Sequence, residues 1–143
     1  MQRRQFIRSS CSFCMLVGSG LVLSELSSCS SSAQVIKTEA INNQIRIPVD
    51  VFVQSDLKIV RPKGSFYDIA VQKKGNDTYE ALLLECTHQS NQLTPNGHGY
   101  TCSLHGSQFD KDGAVIKGPA DQPLQKYRVT VDHENIIIYL KEA

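Results

Sequence analysis

The sequence carries little net charge, and its globular part lacks the sustained apolar periodicity of helical proteins. Its 143 residues have a formal net charge of +1, which argues against nucleic acid as a partner, because such binding usually needs a strongly basic face. Apolar residues make up 41% and charged residues 20%, so neither disorder throughout nor several membrane spans are indicated. The length suits a single domain.

Of the five cysteines, few lie in the globular part. Only Cys86 and Cys102 lie in the globular part of the sequence, so a disulfide within that domain would use both. Cys11 and Cys14 form a C-x-x-C motif, but they lie in an N-terminal segment that we expect to be removed. We therefore assign that pair no redox role.

The N-terminal segment has the layout of a secretory signal. Basic residues occupy positions 3, 4 and 8, and an uncharged stretch from Ser9 to Leu23 follows. Arg3 and Arg4, followed by Phe6 and Ile7, resemble the twin-arginine export signal of bacteria. The uncharged stretch is shorter than the ~20 apolar residues that a membrane span requires. A short uncleaved membrane helix remains the alternative.

The segment Leu26-Ser27-Ser28-Cys29 resembles the lipobox at which bacterial lipoproteins are cleaved and lipidated. This resemblance predicts a signal peptide over residues 1–28, a lipid on Cys29 and a serine-rich tether over residues 29–34. A serine-rich linker that happens to contain a cysteine is the alternative. We expect a membrane-anchored lipoprotein on the periplasmic side of the bacterial cell envelope.

Residues 35–143 predict one all-β domain. Short runs rich in Val, Ile, Leu and Tyr alternate with turns rich in Gly, Pro, Asn and Asp, and no internal repeat is visible. We predict an antiparallel β-sandwich or barrel. The predicted strands are Arg46 to Val53, Lys58 to Arg61, Phe66 to Lys73, Tyr79 to Glu85, Gly99 to Leu104, Ala114 to Lys117, Gln125 to Val131 and Asn135 to Lys141.

Two short motifs offer the ligands of a transition metal. Cys86 and His88 follow one predicted strand, and Cys102 and His105 follow another, so each loop supplies one thiolate and one imidazole. A structural zinc ion with two cysteine and two histidine ligands fits this set chemically. A Rieske-type 2Fe-2S cluster fits as well, since one of its irons binds two cysteines and the other two histidines. Zinc sites more often pair like ligands within each loop.

The residues after His105 extend the pattern. They include Gly106-Ser107-Gln108-Phe109-Asp110, Gly113, Gly118-Pro119-Ala120 and Pro123-Leu124. Together with the two ligand motifs, this stretch resembles the Rieske family, and the resemblance runs from about Val35 to Leu140. It implies a Rieske-like β fold with a cluster-binding subdomain, and one 2Fe-2S cluster as the cofactor.

The resemblance also implies roles for individual residues. Cys86 and Cys102 would bind the inner iron, and His88 and His105 would bind the outer iron with their imidazole edges near solvent. By contrast, His98 lies in a predicted turn, and we expect it to be a surface residue, as is His133.

Three further residues match positions that surround the cluster in the family. Gly106 would let the backbone turn close to the cluster, where a Cβ would intrude. Ser107 would donate its hydroxyl to a bridging sulfide and so raise the reduction potential. Pro119 would belong to the proline loop that covers the cluster.

The chain departs from the Rieske proteins of quinol-oxidising complexes. Those proteins have a disulfide between the two ligand loops, and both of its positions are vacant here, with Asn91 and Leu104 in the loops. Gln89 replaces the leucine at the cluster tip, and Phe109 replaces a tyrosine that donates to a ligand sulfur. We therefore predict an intermediate potential, within the family's range of about −150 to +300 mV but below its high end.

These features favour a redox carrier that performs no bond chemistry and passes electrons between a redox enzyme and a cytochrome-like acceptor. One alternative is the iron-sulfur subunit of a quinol-oxidising cytochrome bc-type complex. Others are a small subunit or ferredoxin that serves the large subunit of an oxidoreductase, and a structural metal-binding module. A terminal Rieske oxygenase needs a further domain for mononuclear iron, and we do not expect one, because only His133 follows His105 as a histidine.

Overall fold

The computed structural model describes residues 34–141. The predicted export signal, the C-x-x-C pair and Cys29 lie outside these residues. The described part of the chain forms eleven strands and one short 3₁₀ helix, and none of its helices has the length and apolar character needed to cross a membrane. The strands are β1 (Val35–Thr38), β2 (Gln44–Pro48), β3 (Leu57–Pro62), β4 (Ile69–Lys73), β5 (Tyr79–Leu83), β6 (Leu93–Pro95), β7 (Gly99–Cys102), β8 (Gln108–Asp110), β9 (Val115–Lys117), β10 (Lys126–Asp132) and β11 (Asn135–Tyr139).

Seven strands form a nearly closed, barrel-like sheet in the order β1-β3-β4-β5-β10-β11-β2. All neighbours in this sheet pair antiparallel except β1, which runs parallel to β3 in the register Val35 to Ile59. The predicted all-β, antiparallel barrel is therefore confirmed. The parallel pair is an exception, and it involves a strand that the sequence did not predict.

The other four strands form a small sheet in the order β6-β7-β8-β9. It is a meander of antiparallel hairpins, with Tyr100 opposite Phe109 at its centre. This sheet begins after β5 and ends before β10, so it is an insertion between two adjacent strands of the barrel. Both ligand motifs lie in loops of this insertion.

Two apolar cores lie on opposite faces of the barrel sheet. The metal-side core lies between that sheet and the small sheet and comprises Ile59, Ala70, Leu82, Leu84, Cys86, Leu93, Tyr100, Cys102, Phe109, Ala120 and Leu124. The barrel core fills the barrel and comprises Ile45, Ile47, Phe52, Val60, Ile69, Val71, Tyr79, Ala81, Ile136 and Ile138. Successive side chains of a strand point to opposite faces, so Ala70 belongs to the metal-side core and Val71 to the barrel core. The same alternation separates Leu82 from Ala81. This explains the consecutive apolar residues within these strands, such as Ile69-Ala70-Val71 in β4 and Ala81-Leu82-Leu83 in β5.

Several predicted strand ends differ from the structure. The strand predicted from Arg46 to Val53 ends at Pro48, and a 3₁₀ helix covers Val49–Phe52. Pro48 has no N–H to continue the ladder, and the Val49 N–H instead donates to the Glu134 carbonyl oxygen at 2.8 Å. Strand β4 begins at Ile69 rather than at Phe66, whose side chain is 93% exposed.

Candidate metal centre

The first ligand loop joins β5 to β6 and is closed at its base by backbone pairing. Glu85 forms an antiparallel bridge with Gln92, and the Cys86 N–H donates to the Asn91 carbonyl oxygen at 2.9 Å. The pairing fixes Cys86 at the base of the loop, where it is buried with 2% of its surface exposed. The tip of the loop is exposed and carries His88.

The second ligand loop joins β7 to β8 through a tight turn. The Cys102 N–H donates to the Ser107 carbonyl oxygen at 2.9 Å, and the Gly106 N–H donates to the Cys102 carbonyl oxygen at 3.0 Å. Gly106 adopts a φ of 78°, a left-handed conformation that favours glycine. A Cβ at this position would meet no protein atom within 4 Å, so the backbone conformation requires the glycine and contact with other protein atoms does not.

A third loop, which contains Pro119, is hydrogen-bonded to both ligand loops. The Ala120 N–H donates to the Ser107 hydroxyl oxygen at 3.1 Å, and Ser107 is fully buried. The Thr87 hydroxyl donates to the Gln122 carbonyl oxygen at 2.7 Å. Pro119 itself is exposed at the tip of this loop. The third loop therefore holds the two ligand loops from one side.

The four predicted ligands come together as two pairs of like residues. The thiols of Cys86 and Cys102 are adjacent and buried, and no disulfide joins them. The rings of His88 and His105 meet edge to face, with their centroids 5.1 Å apart, and both residues are exposed. A buried sulfur pair together with an exposed imidazole pair suits a two-iron cluster, in which each iron takes two protein ligands.

The same arrangement disfavours a single zinc ion. A tetrahedral zinc site needs all four side chains to converge on one point. Within residues 34–141, no group of three or more His, Cys, Asp or Glu side chains converges in this way. The pairing of like ligands therefore fits the 2Fe-2S cluster better than a single zinc ion.

Hydrogen-bond donors surround the thiol of Cys102. Its burial, with 1% of the residue exposed, raises the pKa of the thiol, but the backbone N–H of Leu104 opposes this effect. The Cys86 thiol, the backbone N–H of His105 and the Asn91 side chain add to the opposition, and together they hold the pKa of Cys102 below its ordinary value. The loop thus favours a thiolate, the form that binds metal.

A buried aromatic pair lies on the two strands that the second ligand loop joins. Phe109 is 1% exposed and lies opposite Tyr100 across β7 and β8. Burial, followed by the charges of Glu80, Asp112 and Asp110, raises the pKa of Tyr100 to about 12. Its hydroxyl therefore stays protonated at physiological pH.

Ion pairs connect the small sheet to the barrel. The Lys74 ammonium pairs with Asp112 of the β8-β9 turn and lies 3.9 Å from a carboxylate oxygen of Glu80 on β5. Lys126 on β10 pairs with the other Glu80 oxygen at 2.8 Å. Asp110 orders the same turn, since its carboxylate accepts from the N–H groups of Asp112 and Ala114 at 2.9 and 2.8 Å.

The remaining histidines lie away from the ligand pairs. His98 is exposed in the β6-β7 turn, and its N–H donates to the Asn96 side chain at 3.1 Å. His133 is exposed in the β10-β11 turn with a φ of 46°. Sequence analysis predicted no role for Thr87 or for the side-chain amide of Asn91, because the sequence does not show which residue of another loop a small polar side chain will contact.

The fold and the paired ligands define a small β-barrel protein of the iron-sulfur class. The profile of the family described as the Rieske 2Fe-2S domain matches residues 34–128. The chain therefore belongs to the Rieske 2Fe-2S domain family, and membership implies one 2Fe-2S cluster.

Related sequences and structures agree with this assignment. The chain is 32% identical over 72 residues to the cytochrome b6-f complex iron-sulfur subunit 1 of Synechocystis sp., a match that covers 49% of this chain and 40% of the relative. It is 29% identical over 101 residues to the corresponding subunit of the Cyanophora paradoxa cyanelle, covering 63% and 42%. The chain thus spans less than half the length of these curated relatives.

Two solved structures share the fold. The plasma membrane Rieske protein PetC3 from Synechocystis PCC 6803 superimposes with a TM-score of 0.55 at 23% identity, covering 66% of this chain and 97% of that one. A chain from the complex of oxygenase and ferredoxin in carbazole 1,9a-dioxygenase gives a TM-score of 0.53 at 20% identity, covering 72% and 98%. At these identities the likeness shows the fold alone.

Proposed function

We propose that this protein transfers single electrons through a 2Fe-2S cluster bound by Cys86, Cys102, His88 and His105. The observation that carries the proposal is the grouping of the four side chains into a buried cysteine pair and an exposed histidine pair. When bound, the cluster supplies a one-electron redox couple. Membership of the Rieske family and the iron-sulfur subunits among the relatives support this function.

The residues around the cluster site have separate roles in binding the cluster and in exposing it to a redox partner. The two buried cysteines anchor one side of the cluster and exclude water from it, because they belong to the metal-side core. The two exposed histidines present their ring edges at the surface, where a redox partner can approach. Ser107, Gly106 and Pro119 shape the loops around the site. No residue in this arrangement is required to make or break a covalent bond of a substrate.

Electron paramagnetic resonance of the dithionite-reduced protein tests the cluster and its ligands. We expect a 2Fe-2S signal with hyperfine coupling to histidine nitrogens in the wild-type protein. His88→Ala and His105→Ala should abolish this signal, while His98→Ala, which changes an exposed histidine outside the ligand loops, should keep it. Iron-replete wild-type protein without a 2Fe-2S signal would contradict the proposal.

We further propose that the protein is lipid-anchored on the outer side of a bacterial membrane. Support comes from the twin-arginine-like start and the lipobox-like segment ending at Cys29. A cluster assembled in the cytoplasm also needs a route for folded proteins, and twin-arginine export is such a route. The partner would be a cytochrome-like acceptor or the large subunit of an oxidoreductase, in line with the cytochrome complexes and oxygenase named for relatives and fold neighbours.

Mass spectrometry of the protein from membrane fractions tests the anchor. We expect a mature N-terminus at Cys29 that carries a lipid, and we expect Cys29→Ser to release the domain from the membrane. Replacing Arg3 and Arg4 by lysine should leave the protein in the cytoplasm. An intact N-terminus in the membrane fraction would contradict lipidation and favour a retained membrane helix.

A second candidate function is the iron-sulfur subunit of a quinol-oxidising cytochrome bc-type complex, because the curated relatives above are named as iron-sulfur subunits of a cytochrome b6-f complex. The exposed Gln89 at the tip of the first loop distinguishes this chain from the members with leucine there. Co-purification with a b-type cytochrome would establish this alternative, and isolation of a lipidated protein without such a cytochrome would exclude it.

A further inference from the structure

Asn91 lies at the end of the first ligand loop, and its side chain reaches across to the second. Its Nδ2 is 3.6 Å from the Sγ of Cys102, within the range of a hydrogen bond to sulfur. Its backbone carbonyl accepts the N–H of Cys86 at 2.9 Å. One residue therefore contacts both cysteines of the buried pair.

The orientation of the Asn91 amide is fixed by a second acceptor. The same Nδ2 donates to the Gln92 carbonyl oxygen at 3.2 Å, so the two amide protons have two separate acceptors. In the opposite orientation, Oδ1 would face the carbonyl oxygen of Gln92 and the thiolate of Cys102. All three atoms are hydrogen-bond acceptors, so no hydrogen bond could form between them. The amide must therefore present N–H to Cys102.

We propose that Asn91 is a positioning residue that raises the reduction potential of the cluster by donating a hydrogen bond to the ligand sulfur of Cys102. Reduction adds negative charge to the cluster and its sulfur ligands, so an N–H donor stabilises the reduced form more than the oxidised form. The contact also links the two ligand loops without a covalent bond. This inference rests on the proposed function, because it requires the cluster.

The side-chain amide of Asn91 matters in this chain because Phe109 replaces the tyrosine that donates to a ligand sulfur in the quinol-oxidising complexes. Phe109 has no hydroxyl to offer to a ligand sulfur, and Leu104, two residues after Cys102, is an exposed apolar side chain. Asn91 is thus the side-chain amide that the described residues place on the cysteine pair.

Redox titration of the loaded protein, followed by optical and electron paramagnetic resonance spectra, tests the inference. Asn91→Leu removes the donor at similar volume and should lower the equilibrium constant for one-electron reduction by about tenfold, which corresponds to about 59 mV. Asn91→Asp should lower it further, because a carboxylate repels the added electron. Asn76→Leu is the matched control, since Asn76 is exposed in the turn at the opposite end of β5 and should keep the wild-type potential.

A labelling experiment covers the case in which a variant fails to load the cluster. Wild-type protein labelled with ¹⁵N only in asparagine side chains should show a weakly coupled nitrogen in pulsed resonance of the reduced cluster. Absence of that coupling, or wild-type potentials in both loaded Asn91 variants, would overturn the inference while leaving the cluster in place. Absence of any 2Fe-2S signal from the wild type would instead overturn the proposed function.

Discussion

Ser107 offers the sharpest test of how the protein environment supports the cluster. Its hydroxyl oxygen accepts the Ala120 N–H, and the residue has no exposed surface. Since the oxygen is used as an acceptor, the hydroxyl proton is free to donate, as the family resemblance implies for a bridging sulfide. Ser107→Ala removes both functions at once, and the two effects can be measured separately.

The magnitudes follow from the burial of the site. Leaving the Ala120 N–H without an acceptor costs about 1–3 kcal/mol, and 1 kcal/mol lowers the melting temperature of a domain of this size by roughly 4–8 °C. A hydrogen bond to a charged acceptor is worth about 1.5–3 kcal/mol, and only the part of this that differs between the reduced and the oxidised cluster changes the potential, so its loss should lower the potential by on the order of 60 mV. Both changes should appear in one variant.

The assay combines thermal unfolding with redox titration of protein loaded with iron. Ser103→Ala provides the control, because Ser103 lies in the same loop with its side chain exposed, and both of its values should match the wild type. A fully loaded Ser107→Ala variant with an unchanged potential would refute the donor role. An unchanged melting temperature would refute the role of Ser107 in holding the third loop.

Three further predictions concern the frame around the site. Gly99→Ala would place a Cβ 2.0 Å from the Phe109 carbonyl oxygen, so chemical denaturation should show a loss of about 1–3 kcal/mol or more, whereas Gly75→Ala, with its nearest neighbour at 3.8 Å, should be neutral. Thr87→Val removes the bond to Gln122 and should speed iron release to a chelator, and a wild-type rate would show that this bond does not hold the loop. Removal of the iron should leave the ligand-loop amides open to hydrogen exchange, and protected amides in iron-depleted protein would contradict coupling between metal binding and folding.

The general fold was predictable because its signals are local. Alternating apolar runs and turn residues gave the all-β class and most of the strands of the barrel sheet. The missed strands β1, β6 and β8 have only four, three and three residues, which is too short for an alternating pattern to stand out. A pattern within the segment itself cannot reveal such a strand, nor can it reveal that β1 runs parallel to β3.

The candidate ligands were predictable because their chemistry and spacing are unusual, and the structure brings the four residues together in pairs. The hydrogen bonds between loops were not predictable. Thr87 and Gln122 are 35 positions apart, and Asn91 and Cys102 are 11 apart, with no periodic signal between them. For Gly106, the clash with the cluster that the resemblance implies stays a prediction, and the structure adds a second reason for glycine, its left-handed backbone.

The placement of two cores on opposite faces of one sheet separates the apolar contacts that include the cysteines from those that do not. Strands β2 and β11 contribute buried residues such as Ile45 and Ile136 to the barrel core, while Cys86 and Cys102 belong to the metal-side core. The barrel core thus makes its apolar contacts without the cysteines, and loss of the cluster should weaken the metal-side core first. A protein that loses its cluster would then keep a folded scaffold on which the three loops can be rebuilt, so repair would require new iron and sulfide but no new chain.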